Sequence, residues 1–244
     1  IQSEELSVTT NKADIPNGKD NLAWKAAMLL AEKYGHKPNV QIRIRKKIFS
    51  AAGLAGGSAD AAAVLRGLNR LWQLALSAEE LEVLAAELGS DVPFCIRGGT
   101  AAATGRGEIL EPLFDMPETW LVLAKPNVSV STAWAYQNFK NENVSARPDI
   151  ITMKKAINKA DKQSIMACMG NVLESVTAKA YAEIEAIKET MMANGAQISL
   201  MSGSGPTVFC FVDSEVSGEH IAAVLREQFA IDIELTKTLR RNVL

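Results

Sequence analysis

The stretch AAGLAGGSADAAAVLRGLNRLW, Ala51 to Trp72, sets Gly53, Gly56, Gly57 and Ser58 directly ahead of an apolar-periodic run. Glycine has no Cβ, so a run of glycines lets backbone N–H groups come close to a ligand, at an entropic cost to folding. Where such a run opens a helix, several unpaired N–H groups and the positive end of the helix dipole converge on one spot, which suits a phosphate. Ser58 adds a hydroxyl that can bind phosphate or Mg²⁺, or can cap the helix by accepting from a backbone N–H. On these residues alone, phosphate binding and a tight packing turn both stay open. A Walker A loop is excluded, because neither Lys-Ser nor Lys-Thr follows the glycines.

Other residues with chemical potential are few. Asp91, two positions before Pro93, has the type of a general base and equally that of a helix cap. Asp60 is expected to open its helix and to favour the dipole. His36 and His220 stand in polar segments, and neither reads as a ligand or a base. Cys95, Cys168 and Cys210 are odd in number, widely spaced and in apolar surroundings, which predicts buried thiols in the cytosol, with no disulfide frame or zinc site.

The elements that must position these residues follow from periodicity. Asp20 can cap a helix carrying Leu22, Ala26 and Leu30, and Val40, Ile42 and Ile44 then alternate with Gln41, Arg43 and Arg45 as a half-exposed strand. After the glycine run, Ala62, Leu65, Leu68 and Trp72 share one helix face. Ser77 with Glu80 predicts a capping box for a helix ending near Gly89. GGTAAATGRGEILEPL reads as a strand pair around a Gly105 to Gly107 turn, and the polar FDMPET is the expected domain boundary. The expected domains are 1–116 and 117–244.

In the second half, a strand over Trp120 to Ala124 precedes helical segments. Among them a helix is predicted over Ala180 to Ala193, with Ile184, Ile187 and Met191 on one face and Asn194-Gly195 as a stop. AQISLM and TVFCFV flank SGSGP as two strands, a helix is predicted from about Val216 to Phe229, and Ile231, Ile233 and Leu235 alternate in a last strand. The order β-α-β-β-α-β is the split βαβ, ferredoxin-like arrangement with extra helices in its first crossover, so the expected class is α+β.

The chain has 244 residues with 26 basic and 28 acidic side chains, a net charge of −2, which offers no basic footprint for nucleic acid or a membrane surface. Neither an apolar run of about 18 residues nor a basic, then apolar, leader pattern is present. A small-molecule partner is expected, with no nucleic-acid or membrane partner; oligomeric state is not legible.

The run Ala51 to Trp72 resembles the ATP-binding motif of the GHMP kinases, the superfamily of galactokinase, homoserine kinase and mevalonate kinase. GSDVPFCIRGGTAAATGRGE, Gly89 to Glu108, and LMSGSGPTVFCFV, Leu200 to Val212, are similar to the members that phosphorylate 4-diphosphocytidyl-2-C-methyl-D-erythritol in the non-mevalonate isoprenoid pathway. The resemblance implies an S5-like N-terminal domain that lacks its first strands here, and a ferredoxin-like C-terminal domain. It also implies ATP and Mg²⁺ as cofactors and direct phosphoryl transfer to the 2-hydroxyl. By resemblance, Phe49, Ser50, Ala51, Ala52, Gly53, Leu54, Ala55, Gly56, Gly57, Ser58 and Ala59 wrap the ATP phosphates, with Ser58 toward Mg²⁺, and Asn21 and Lys46 contact the nucleotide. Asp91 matches the catalytic aspartate. Thr132, Tyr136, Gly203, Ser204 and Gly205 match positions at the substrate pocket, Tyr136 as a stacking surface for cytosine. A helical packing residue at Tyr136 and a plain turn at SGSGP are the alternatives.

Two departures stand out. Phe49 replaces the family's usual proline, and the family's opening segment, with an Ala-Lys-Ile-Asn strand and a Gly-Tyr-His turn, has no counterpart after Ile1. The 244 residues alone are therefore expected to turn over little. A homoserine- or mevalonate-type kinase and a nucleotide-binding chain without turnover remain the alternative readings.

Overall fold

The structure, a computed structural model, describes residues 5–241. The outermost positions of the expected domains, 1–4 and 242–244, lie outside the described residues. By its contacts the chain forms two units: residues 5–50 and Ala55–Pro112 with Arg241, and Ala51–Leu54 with Leu113–Arg240. The division falls after Pro112, ahead of the 116/117 boundary expected from FDMPET, and assigns Ala51–Leu54 to the second unit.

In the first unit, β1 (Ser7–Thr10) pairs in parallel with β2 (Gln41–Ile44), Val8 opposite Ile42. Between them runs α1 (Leu22–Tyr34), capped by Asn21, not by Asp20: the Asn21 side chain accepts from the Ala23 N–H at 2.8 Å and donates to the Pro16 carbonyl at 2.9 Å. An asparagine at the last extended position before the helix satisfies a donor that Asp20, one residue earlier, is not placed to take. Next come α2 (Gly56–Leu71), α3 (Ala78–Leu88) and α4 (Val92–Arg97). The Ser77–Glu80 capping box is formed in both directions. Leu30, Leu65, Leu68, Leu81, Leu84, Val92 and Ile96 make the core of this unit. A hairpin follows, β3 (Ala101–Thr104) with β4 (Ile109–Pro112), antiparallel around the Gly105 to Gly107 turn.

The second unit is built on β5 (Trp120–Lys125), β6 (Ile198–Met201), β7 (Val208–Val212) and β8 (Asp232–Lys237) in the antiparallel order β6-β7-β5-β8. The crossover from β5 to β6 carries α5 (Thr132–Gln137), α6 (Ile150–Asn158), α7 (Lys162–Ala167), α8 (Glu174–Ala180) and α9 (Ala182–Ala193). Then α10 (Glu215–Gln228) joins β7 to β8. This is the ferredoxin-like order, with its extra helices in the first crossover. Val122 and Cys210, opposite each other in the sheet, are fully buried with Ile184, Ile187, Met191, Ile221 and Leu225. Burial of each such aliphatic side chain stabilises by about 1.5–3 kcal/mol.

The helix expected from Ala180 begins at Ala182, because Tyr181 breaks it. At φ −127° and ψ 86° Tyr181 ends α8, and its ring packs edge-on against Trp134 at 5.9 Å. The break makes α8 an element of its own.

Candidate functional site

In the first unit the glycine run does open a helix. The position before α2 is Ala55, left-handed at φ 49°, and no side chain caps the helix there. Ser58 lies in the first turn and is not the cap, so the capping reading of its hydroxyl is set aside. The first N–H groups of any α-helix lack intrahelical partners. At α2 they are left to whatever ligand approaches, together with the positive end of a 16-residue helix.

Beneath this turn lies Lys46, 7% exposed, whose ammonium pairs with the Asp60 carboxylate at 2.5 Å. Its backbone is fastened by Asn11, which accepts from the Lys46 N–H at 2.7 Å. A Cβ at Gly56 would stand 3.0 Å from Lys46 Nζ and 3.1 Å from Ile48 Cγ2, so glycine there makes room for the buried ion pair. Gly57 is exposed, and a Cβ would meet only Leu22 Cδ1 at 3.5 Å. Asp60 therefore does not open α2, which begins at Gly56; its carboxylate is committed to Lys46.

Asp91 precedes α4 in a helical conformation, φ −86° and ψ −13°, and makes no capping hydrogen bond. Its carboxylate is exposed and has no hydrogen-bond partner among the described residues. The capping reading thus fails, leaving an acceptor with no structural duty. Asp91, Arg66 and Asp60 all lie near enough to Cys95 to bias its thiol. Burial is the main cause that pushes Cys95 up to about 11, with Asp91 next.

In the second unit, Gly53 has φ +70°, and a Cβ there would fall 2.2 Å from the Ser202 carbonyl oxygen and 3.0 Å from that of Gly205. Only glycine fits. The Gly53 carbonyl accepts from the Ser202 hydroxyl at 2.9 Å. Thr132 and Ser204, both expected at the substrate pocket, share a hydroxyl hydrogen bond of 3.0 Å. Tyr136 is 64% exposed, and its ring stacks on no other ring among the described residues.

Sequence reasoning missed the partners that hold these groups: Asn11 behind Lys46, and Asn171, Glu174 and Thr177 around Met201–Gly205. Of the last three, Glu174 and Thr177 share a face of α8, a spacing legible as helical, while Asn171 stands in the turn before it and carries no such signal.

Comparison with known proteins decides the family. Residues 21–99 match the profile described as GHMP kinases N terminal domain, and residues 153–231 match GHMP kinases C terminal. A 4-diphosphocytidyl-2-C-methyl-D-erythritol kinase of Exiguobacterium sibiricum is 47% identical over 242 residues, covering 99% of this chain and 84% of its relative. The chain belongs to the GHMP kinases. A further relative of this GHMP kinase, from Bacillus subtilis and of the same description, is 48% identical over 226 residues, 93% of this chain and 78% of the relative. A crystal structure of a 4-(cytidine 5'-diphospho)-2C-methyl-D-erythritol kinase aligns with TM-score 0.78 at 29% identity, covering 97% of this chain and 83% of that one. A homoserine kinase from Cytophaga hutchinsonii aligns with TM-score 0.79 at 17% identity, over 99% and 83%, which speaks for the fold alone. This GHMP kinase is a small-molecule kinase. Among the described residues no helix is long and apolar enough to cross a membrane.

Proposed function

We propose that this chain transfers the γ-phosphoryl group of ATP to the 2-hydroxyl of 4-diphosphocytidyl-2-C-methyl-D-erythritol, the step its relatives' names describe, in the non-mevalonate isoprenoid pathway. The observation that carries the mechanism is the pairing of an uncapped helix N-terminus at Gly56 with an unpartnered, exposed carboxylate at Asp91. Phosphoryl transfer needs positioning and charge neutralisation more than covalent chemistry. The loop Phe49–Ala59 holds the phosphates through its N–H groups, with Gly57 open toward them and Gly56 giving room to Lys46.

Lys46 acts from below, its charge shared with Asp60, and Asn21 contributes through the fixed entry of α1. A Mg²⁺ ion accompanying ATP would be held with help from the Ser58 hydroxyl and would neutralise phosphate charge. Asp91 accepts the proton of the substrate hydroxyl; the hydroxyl oxygen forms the new bond to phosphorus as the bond to the ADP oxygen breaks. The Thr132–Ser204 pair, Gly203, Gly205 and the exposed Tyr136 ring hold the acceptor substrate. The cytoplasm is the proposed compartment, with Cys95, Cys168 and Cys210 as free thiols.

Asp91→Asn tests the reading. Asparagine has nearly the shape and capping capacity of aspartate but accepts no proton, so Mg-ATP affinity and melting temperature should hold while kcat falls about 10²–10⁴-fold. Unchanged kcat would remove Asp91 from the chemistry.

A further inference from the structure

The loop that follows β6 is gripped from one side by three side chains of a single turn and helix. Asn171 donates from Nδ2 to the carbonyls of Met201 and Gly203, both at 2.8 Å, while its Oδ1 accepts from the Leu173 N–H at 3.0 Å. Glu174 accepts the Met201 N–H on Oε1 at 2.6 Å and the Lys188 ammonium on Oε2 at 2.8 Å. Thr177, fully buried, donates to the Ser204 carbonyl at 3.2 Å.

Glu174 and Thr177, three apart, share one face of α8, and Asn171 stands in the turn that leads into it. That turn and helix take the Met201 N–H and the carbonyls of Met201, Gly203 and Ser204. Two of the loop's residues then reach Gly53: the Ser202 hydroxyl donates to its carbonyl at 2.9 Å, and a Cβ on Gly203 would come within 3.2 Å of the same oxygen. Charged and buried hydrogen bonds of this kind are the stronger ones, and leaving one partner unpaired costs its full desolvation.

We infer that Asn171, Glu174 and Thr177 form a positioning clamp that sets the Met201–Ser204 loop and, through Ser202, the Gly53 tip of the phosphate loop, so that nucleotide affinity depends on a turn and helix that touch no substrate. The inference rests on the reading that Phe49–Ala59 binds ATP. These three are positioning residues; none acts on the reacting atoms.

Thr177→Val is the sharpest probe, since it keeps the shape and removes only the hydroxyl donor to Ser204. Two readouts are taken on the intact protein. Amide hydrogen exchange follows 51–54 and 201–205, with β8 as an internal reference, and calorimetry follows Mg-ATP. Exchange should quicken in both segments and not in β8, and Mg-ATP should bind about three- to tenfold more weakly, equivalent to about 0.6–1.4 kcal/mol. Thr177→Ser should restore both. Should Thr177→Val fold poorly, Asn171→Ala, which removes both donors to the loop, carries the same expectation. A variant that melts lower yet leaves exchange at 51–54 or Mg-ATP affinity unchanged overturns the clamp as a positioning device. A wild-type protein that shows the coupled exchange but binds no Mg-ATP sinks the nucleotide reading of Phe49–Ala59, and with it the clamp's service to ATP, while the mechanical link stands measured.

Discussion

At the first turn of α2 no side chain caps the helix, and the Asp91 carboxylate has no partner among the described residues. At Met201–Ser204 the opposite holds. There Asn171, Glu174 and Thr177 take up the loop's carbonyls and an N–H, and Ser202 itself turns to Gly53. The groups left without partners are those that a phosphate and a substrate hydroxyl would satisfy; the saturated groups are those that must hold still. A kinase that works by preorganised electrostatics needs both kinds, since donors aimed at a developing charge help only if they do not have to reorganise. Lys46 shares both characters: it lies under the loop that would hold the phosphates, and Asp60 already meets its charge and holds it still.

That assignment of Lys46 is also the easiest to break. Lys46→Met leaves Asp60, mostly buried, without its counter-charge, and should cost about 3–5 kcal/mol in urea unfolding. Adding Asp60→Leu should recover most of the loss, because an apolar pair often replaces a buried ion pair at little cost. If Lys46→Met alone leaves stability unchanged, the pair with Asp60 does not help to hold the fold.

A smaller effect separates the two glycine positions. Gly53→Ala drives a Cβ into the Ser202 carbonyl at 2.2 Å, in a left-handed backbone, and should destabilise by about 1–3 kcal/mol. At Gly57 a Cβ meets only Leu22 Cδ1 at ordinary contact distance, so Gly57→Val should keep the melting temperature near that of the wild type while abolishing Mg-ATP binding measured by calorimetry. Equal loss of stability at both positions would erase the distinction between a glycine needed for packing and one needed for the ligand.

The smallest effect is electrostatic. Burial pushes the Cys210 thiol from 9.0 up to about 12, and mainly burial takes Cys95 to about 11. Both stay protonated in the folded state while the unfolded chain ionises above pH 9, so the unfolded state binds fewer protons there. Stability should decline as pH rises from 9 toward 11–12. Cys210→Ala should flatten part of that decline in unfolding curves at pH 7.5 and pH 10; an identical slope in the variant would rule the thiol out as its source.

The sequence made the ligand-facing parts more legible than their supports. A glycine run before an apolar-periodic helix announces itself through composition, and the alternation in Val40–Ile44 and Ile231–Leu235 announces strands by period. Tertiary partners leave no such mark. Nothing local says that Asn11 fastens Lys46, or that Asp60 turns back one helical turn to an ammonium fourteen positions earlier. Asp20 and Asn21 are both good capping residues, and only the direction of the incoming chain, fixed by the Asn21 bond to Pro16, chose between them. Tyr181 looked helical because its neighbours are; its contact with Trp134 lies 47 positions away in sequence and overrode local propensity.

The central claim is acceptor identity, and the most direct measurement is ADP release by the purified, intact protein with Mg-ATP and each of three alcohols. The account predicts ADP formation with 4-diphosphocytidyl-2-C-methyl-D-erythritol, matched by one new phosphate on that substrate, and background release with homoserine and mevalonate. A pocket that pairs its polar groups with a nucleotide head group leaves them unpaired when that group is missing, which costs rejection factors of about 10⁴ or more. Comparable turnover of homoserine, or no release with the diphosphocytidyl substrate while another alcohol is phosphorylated, would contradict it.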